Sequence, residues 1–159
     1  LEALCDLIDR HLPLMLATDE AFHQDTAPGV PPDYLHPFIQ FCLTSPSHAR
    51  SVGGVAGALG INRKTLVNYC ARANLPSPGR LLSWLRLLLA AHYLATTTRT
   101  VERIALQLDF ASDTALRNMI KRYTGLRAQE LRHRDGASMI LAHLTRALAS
   151  HRASHPAET

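Results

Sequence analysis

The sequence predicts an all-α chain of two helix-turn-helix units joined by a long central helix, as in homeodomain-like helical bundles. Three observations lead there: an internal repeat, a nearly all-apolar segment between its copies, and a positive segment spanning both. The first copy runs from Val55 to Leu75 and the second from Ile104 to Leu126. Ala56 matches Ala105, Leu59 matches Leu108, Ile61 matches Phe110 and Leu66 matches Leu116. Asn68 then matches Asn118, Cys70 matches Ile120 and Leu75 matches Leu126, with one extra residue in the turn of the second copy. Each copy reads as a short helix, a tight turn and a second helix.

The elements follow in order. Residues 1–16 carry Leu4, Leu7, Ile8 and Leu12 on one side and Glu2, Asp6 and Asp9 on another, an amphipathic helix that Pro13 ends or kinks. An acidic linker with Pro and Gly fills residues 18–32. Asp33 to Thr44 reads as a helix whose Tyr34, Phe38, Ile39 and Phe41 feed the core. Ser51 is the expected N-cap of the first repeat, Asn62 of its second helix, Thr100 of the second repeat and Ser112 of its second helix. Ser77 followed by Pro78 is a helix start, and the helix to about Ala95 is apolar nearly all round, so it needs a partner on each face. Its length of about 17 residues makes a rod of roughly 25 Å. That is a suitable spacer for units that reach grooves about 34 Å apart. Arg86 projects from this buried helix and is expected to find an internal acceptor. Residues 128–134 and 138–149 read as two further helices, and 151–159 as a frayed tail. The organisation is thus an N-terminal helix and linker over 1–32, a double helix-turn-helix unit over 33–134, and an extra helix and tail over 135–159.

Charge is segregated along the chain. The net charge of +4 conceals a segment before Arg50 of −6 and a segment from Arg50 to Arg134 of +10. Such a block is the electrostatic footprint of phosphate binding, whereas scattered surface arginine explains the total but not the segregation. Cys5, Cys42 and Cys70 are far apart with no C-x-x-C pair, which argues against disulfides and zinc and for small buried hydrophobes in a reducing cytoplasm. The nine histidines show no ligand spacing, so neither a metal nor another cofactor is expected. No phosphate loop, paired-carboxylate site or nucleophile motif is present, so no enzyme is expected, and no apolar run is long enough to span a bilayer.

Together these pieces resemble the DNA-binding domain of the AraC/XylS family of bacterial transcription regulators. The resemblance covers about Asp33 to Arg132 and rests on linked pieces in one order. They are V55-A-x-x-L-G-I-N, the L-x-x-x-C helix, R86-L-x-x-A90-x-x-x-L94, V101-x-x-I-A-x-x-L-D-F110, S112-D-T-A-L-R-N118 and K121-R-Y-T-G-L126, running on to Leu131 and Arg132. The chain departs from the family with Asp109 in place of a usual Gly, Ala128 in place of Pro, and Val67 where a polar base-reading side chain is often found. Gly53, Gly54 and Gly57 crowd the first scaffold helix.

The resemblance implies double-stranded DNA as partner, with the second helix of each copy, about 62–72 and 112–122, entering successive major grooves. Lys64, Val67 and Asn68 in the first copy, and Thr114, Arg117 and Asn118 in the second, are the candidate base contacts. Lys64 and Arg117 suit guanine O6 and N7, Asn68 suits adenine, and Val67 suits a thymine methyl. Asp113 either accepts from cytosine or favours the helix N-terminus through the dipole, and the second role is preferred. Arg50, Arg63, Thr65, Lys121 and Arg122 are the candidate phosphate contacts. An exposed Lys or Arg on a helix is usually only solvated surface; the case here rests on matched outward positions in both copies. RNA polymerase, and a second copy of the chain through the N-terminal helix, are further candidate partners. The competing reading is a helical protein-interaction module of the same fold that has lost sequence-specific DNA binding, favoured by Val67, Asp109, Asp113 and the glycine-rich first helix.

Overall fold

The computed structural model describes residues 6–8, 10, 34–133 and 135–155. Among these, all regular structure is helical, and no strand forms. The expected linker over 18–32 and most of the expected first helix lie outside the described residues. Residues 6–8 and 10 are helical, and Ile8 is buried.

Helix α1 (Leu35–Thr44) buries Leu35, Phe38, Ile39, Cys42 and Leu43, the spacing of a single core-facing stripe. In the first repeat, α2 (Val52–Ala58) is capped by Ser51 Oγ, which accepts from the Gly54 N–H at 3.0 Å. The second helix of that repeat is α3 (Arg63–Arg72). The central helix α4 (Pro78–Thr96) starts at Ser77 and Pro78, and eleven of its nineteen residues are buried. At 1.5 Å per residue it is a rod of about 28 Å. The second repeat consists of α5 (Val101–Gln107) and α6 (Asp113–Thr124), with Thr100 Oγ1 accepting from the Arg103 N–H at the start of α5. Two more helices, α7 (Ala128–Arg132) and α8 (Gly136–Ser154), close the structure.

The two copies repeat down to the backbone. Val55 and Ala56 are buried as are Ile104 and Ala105, and Leu66 and Cys70 are buried as are Leu116 and Ile120. Each turn needs a left-handed residue: Gly60 at φ 69° in the first and Asp109 at φ 60° in the second. Each is followed by the same closing bond, Ile61 N–H to Ala56 O at 3.0 Å and Phe110 N–H to Ala105 O at 2.8 Å. The second helix of each copy ends in another left-handed residue, Asn74 at φ 48° and Gly125 at φ 74°. The copies differ in two places. Ala111 lengthens the second turn, and α6 has twelve residues against ten in α3.

Helix α4 contacts α1, α2 and α3 of the first half and α5, α7 and α8 of the second. Its buried Leu87, Leu88 and Leu89 have no exposed surface. Burying a Leu side chain is worth about 1.5–3 kcal/mol, so these three contribute roughly 4.5–9 kcal/mol of gross burial. Arg86 on the same helix donates from Nη2 to Leu108 O at 2.7 Å and to Asp109 O at 3.1 Å, and its guanidinium lies 4.2 Å from the centre of the Phe110 ring. The internal acceptor expected for Arg86 is therefore the turn of the second repeat. At the far end of α4, Arg132 of α7 donates to Leu94 O at 3.4 Å and Thr97 O at 3.0 Å, and also to Arg99 O. These are among the last carbonyls of α4 and of the residues just after it, where a cation is favoured.

Three expectations are corrected at the C-terminus. The closing helix α7 stops at Arg132 rather than at Arg134, because the chain turns sharply into α8. A Cβ on Gly136 would lie 2.7 Å from Leu131 O and 3.1 Å from Ala91 O, so only glycine fits this approach. Helix α8 starts two residues before the expected Ser138, with Asp135 accepting from the Ser138 N–H at 3.3 Å. It also runs through the residues expected to fray, because Asn74 Nδ2 donates to His155 O at 2.7 Å and the His151 and His155 rings stack at 4.6 Å. Residues 156–159 lie outside the described residues.

Two predictions follow from this packing. Arg86→Ala removes two hydrogen bonds from a cation to the second turn and is expected to cost about 2 kcal/mol. Denaturant unfolding checks this, and a loss below about 0.5 kcal/mol, the range of an indifferent surface change, contradicts it. The second concerns pH. Burial pushes His92 below its ordinary value. Burial also lowers His151, helped by the positive charge of His155, Arg80 and Arg152 and opposed by a hydrogen bond with the Leu75 backbone. The fold prefers both imidazoles neutral, so their contribution to stability is complete above the ordinary value of 6.5 and is lost as the pH falls below it. His151→Gln is expected to flatten the decline in urea midpoint between about pH 7.5 and 5.5; an unchanged slope refutes the assignment.

Candidate nucleic-acid interface

Two helices present matched outward faces. In α3, Asn62 Oδ1 accepts from the Lys64 N–H at 2.8 Å and fixes the first turn. Leu66 and Cys70 are buried on the inner side, while Tyr69 is half-buried and meets Tyr34 edge to face at 5.4 Å. That anchoring leaves Arg63, Lys64, Val67 and Asn68 exposed, and Thr65 half-buried beside them. Val67 keeps 43% of its surface, a large value for an aliphatic side chain with no inward role.

In α6, Ser112 Oγ accepts from the Ala115 N–H at 3.0 Å. Leu116 and Ile120 are buried, and Met119 is half-buried. Thr114, Arg117, Asn118, Lys121 and Arg122 are exposed. The hydrophobic anchor at the end of this helix is Tyr123, which meets Trp84 of α4 edge to face at 4.9 Å. Arg80 and Arg122 lie 5.8 Å and 5.5 Å from the centre of the same ring. Arg122 is therefore held against an aromatic face at the end of the helix.

Arg117 and Asp113 form a unit. Arg117 Nε donates to Asp113 Oδ2 at 3.2 Å, and Thr114 Oγ1 donates to Asp113 Oδ1 at 3.4 Å. The hydrogen bond from Arg117 is the main reason the Asp113 carboxyl is held below its usual range. Asp113 thus stays an ionised acceptor in the first turn, where the dipole favours it, while the cap hydrogen bond itself comes from Ser112. Engaging Arg117 through Nε leaves its two terminal amino groups as a fork, the geometry that meets guanine O6 and N7 together.

Not every cation in the positive segment faces outward. Arg86 and Arg132 are consumed by backbone carbonyls inside the fold. Arg50, expected at a phosphate, donates from Nε to Ser47 O at 2.9 Å and pairs with Asp109 Oδ2 at 3.3 Å. This pair ties the loop before the first unit to the turn of the second, and both partners remain half-exposed or more. Sequence reasoning noted Asp109 as a departure from glycine but missed its charge partner, because residues 59 positions apart give no local signal. The caps made by Arg132 were missed for the same reason.

Other chemistry finds no support among the described residues. No group of three or more His, Cys, Asp or Glu side chains is placed to hold a metal, and no helix is long and apolar enough to cross a membrane. Cys42 and Cys70 are free and buried, and burial pushes their thiols up to about 12 and about 11. They are packing residues rather than nucleophiles. Cys5 lies outside the described residues.

Paired helices of this layout, with capped and outward-facing second helices, define a helix-turn-helix DNA-binding protein. A family model described as a helix-turn-helix domain matches residues 55–134, half of the chain, and both repeats fall inside it. The chain belongs to that family, the AraC-type helix-turn-helix domains, which are regulatory DNA-binding modules of transcription rather than enzymes. No curated protein and no solved structure matches it.

The Asp113–Arg117 unit gives a direct test. An NMR titration is expected to place the Asp113 carboxyl below 3.8, and Arg117→Ala to return it toward that ordinary value. Because the folded carboxyl is depressed, whatever this pair adds to stability is present above the ordinary value and disappears as the pH falls through the folded one. An Asp113 value indifferent to Arg117→Ala would show that the pair does not form in solution.

Proposed function

We propose that this chain is a sequence-specific DNA-binding transcription regulator that inserts α3 and α6 into successive major grooves of one duplex. The observation that carries the reading is the duplicated geometry. Each second helix is capped by its own Asn or Ser, buried along one stripe and exposed along the opposite one at matched positions. The two units share a central rod of about 28 Å, a length of the same order as the pitch of B-form DNA, about 34 Å, and this supports the reading.

In this reading Lys64, Val67 and Asn68 face base edges from α3, and Thr114, Arg117 and Asn118 from α6. Arg117 is the main specificity contact, through its terminal fork to guanine, and Asp113 holds that fork in place or accepts from a neighbouring cytosine. Val67 occupies the position matched to Arg117, so the first unit reads a thymine methyl where the second reads guanine. Arg63, Thr65, Lys121, Arg122 and Arg50 meet phosphates, which position the protein without specifying sequence. Arg50 does so while retaining Asp109 as its partner. The double unit over 33–134 is the reading head, and the residues before it are the place for a signal-receiving or dimerising segment.

Selection of duplexes from a random pool, followed by titration at two salt concentrations, tests the reading. Arg117→Ala is expected to relax preference at one base position by about 1–3 kcal/mol, while Lys121→Ala weakens every sequence alike and lowers the salt slope by about one. Recovery of no preferred sequence, together with weak binding indifferent to salt, would overturn it and favour a helical protein-interaction module of the same fold.

A further inference from the structure

Helix α8 lies outside the matched family region, yet it touches both repeats. At its start it packs on α7, and Gly136 sits against Leu131 O and Ala91 O with no room for a side chain. Along its length it packs on α4 and also meets α6. Further on, Leu144 and Leu148 share one apolar cavity with Leu35 and Ile39 of α1 and with Leu75, the last residue of the first repeat. At its end, His155 O accepts from Asn74 Nδ2 at 2.7 Å. Asn74 is the left-handed residue that terminates α3, so this bond fastens the last turn of α8 to the end of the first repeat's reading helix.

We propose that α8 is a clamp that fixes the placement of the two reading helices relative to each other, with Asn74 as its positioning residue. The helices of each unit pack on α4 less extensively than α8 does, and α2 and α5 have only seven residues each. A helix of nineteen residues seated across both halves supplies the restraint that these short helices lack. The left-handed backbone at Asn74 directs the amide to the α8 terminus, a job that glycine at the matched Gly125 cannot do. The consequence rests on the two-groove reading: a rigid pair of reading helices gains from simultaneous engagement only at one spacing of the two half-sites, while a loose pair accepts several at lower affinity.

The experiment uses the full chain with Cys5→Ser and spin labels on Ala71→Cys in α3 and Arg103→Cys in α5, both exposed. The buried Cys42 and Cys70 thiols, at about 12 and about 11, do not compete for the label. Asn74→Gly keeps the left-handed backbone and deletes the donor; Asn74→Asp keeps the shape and sets a carboxylate against the His155 carbonyl. Both are expected to broaden the label-to-label distance distribution without DNA. On the duplex selected by the parent chain, both are expected to weaken binding about tenfold and to tolerate one base pair added or removed between half-sites. Distance distributions that superimpose on the parent's overturn the clamp, whatever happens to affinity. Broadened distributions in a chain that selects no duplex uphold the clamp and remove the two-groove reading.

Discussion

The burial of α4 on all sides constrains everything else in this protein. A helix that carries leucine and alanine around most of its circumference has no stable place at a surface, so other elements must cover it. The chain meets that demand with two copies of one short motif and a terminal helix. Neither copy can do so alone, because α2 and α5 are too short to bury a core of their own. The apolar rod therefore determines where α3 and α6 emerge. In the proposed reading, the residues that make α4 hydrophobic also set the spacing of α3 and α6.

Positive charge in the molecule falls into two populations, separated by burial. Arg86 and Arg132 reach backbone carbonyls, one at the turn of the second repeat and the other at the end of α4. Burial also disfavours the charged form of Arg86, and the nearby Asp109 carboxylate opposes that effect. Arginine suits this use because its planar fork satisfies several acceptors at once and keeps its charge. Lys64, Arg117, Lys121 and Arg122 remain exposed along α3 and α6. The turn at Leu108 to Phe110 is where the two populations meet: Arg86 holds its carbonyls and Phe110 ring, and Arg50 holds its carboxylate. Asp109 thus does more than substitute for a glycine at φ 60°, since glycine would leave Arg50 without this partner.

Much of this was legible in the sequence because the relevant signals are local. Ser51, Asn62, Ser77, Thr100 and Ser112 announce helix starts by the hydrogen bond each makes within three residues. Inward positions in α3 and α6 follow from helical spacing, and the repeat itself supplied the pairing of the two units. What escaped was long-range. The Arg50–Asp109 pair, the caps from Arg132 and the bond from Asn74 to His155 join residues that helical periodicity does not connect. The extent of α8 was misjudged for the same reason. His151 to Ser154 look like a tail by composition, and only docking at Asn74 and stacking of His151 on His155 turn them into a final helical turn. Asn74 itself carried a signal in retrospect, an Asx residue matched to Gly125 at a left-handed helix end.

Whether one duplex is read at two places by this rigid frame is decided most directly by a hydroxyl-radical footprint with methylation interference on a selected duplex. Two protected patches are expected on one face of the DNA, separated by one helical turn of about 10 base pairs. A guanine whose N7 methylation blocks binding should lie within one of them, and the block should vanish in Arg117→Ala. A single patch, or protection spread evenly along the duplex with no guanine that interferes, would contradict it.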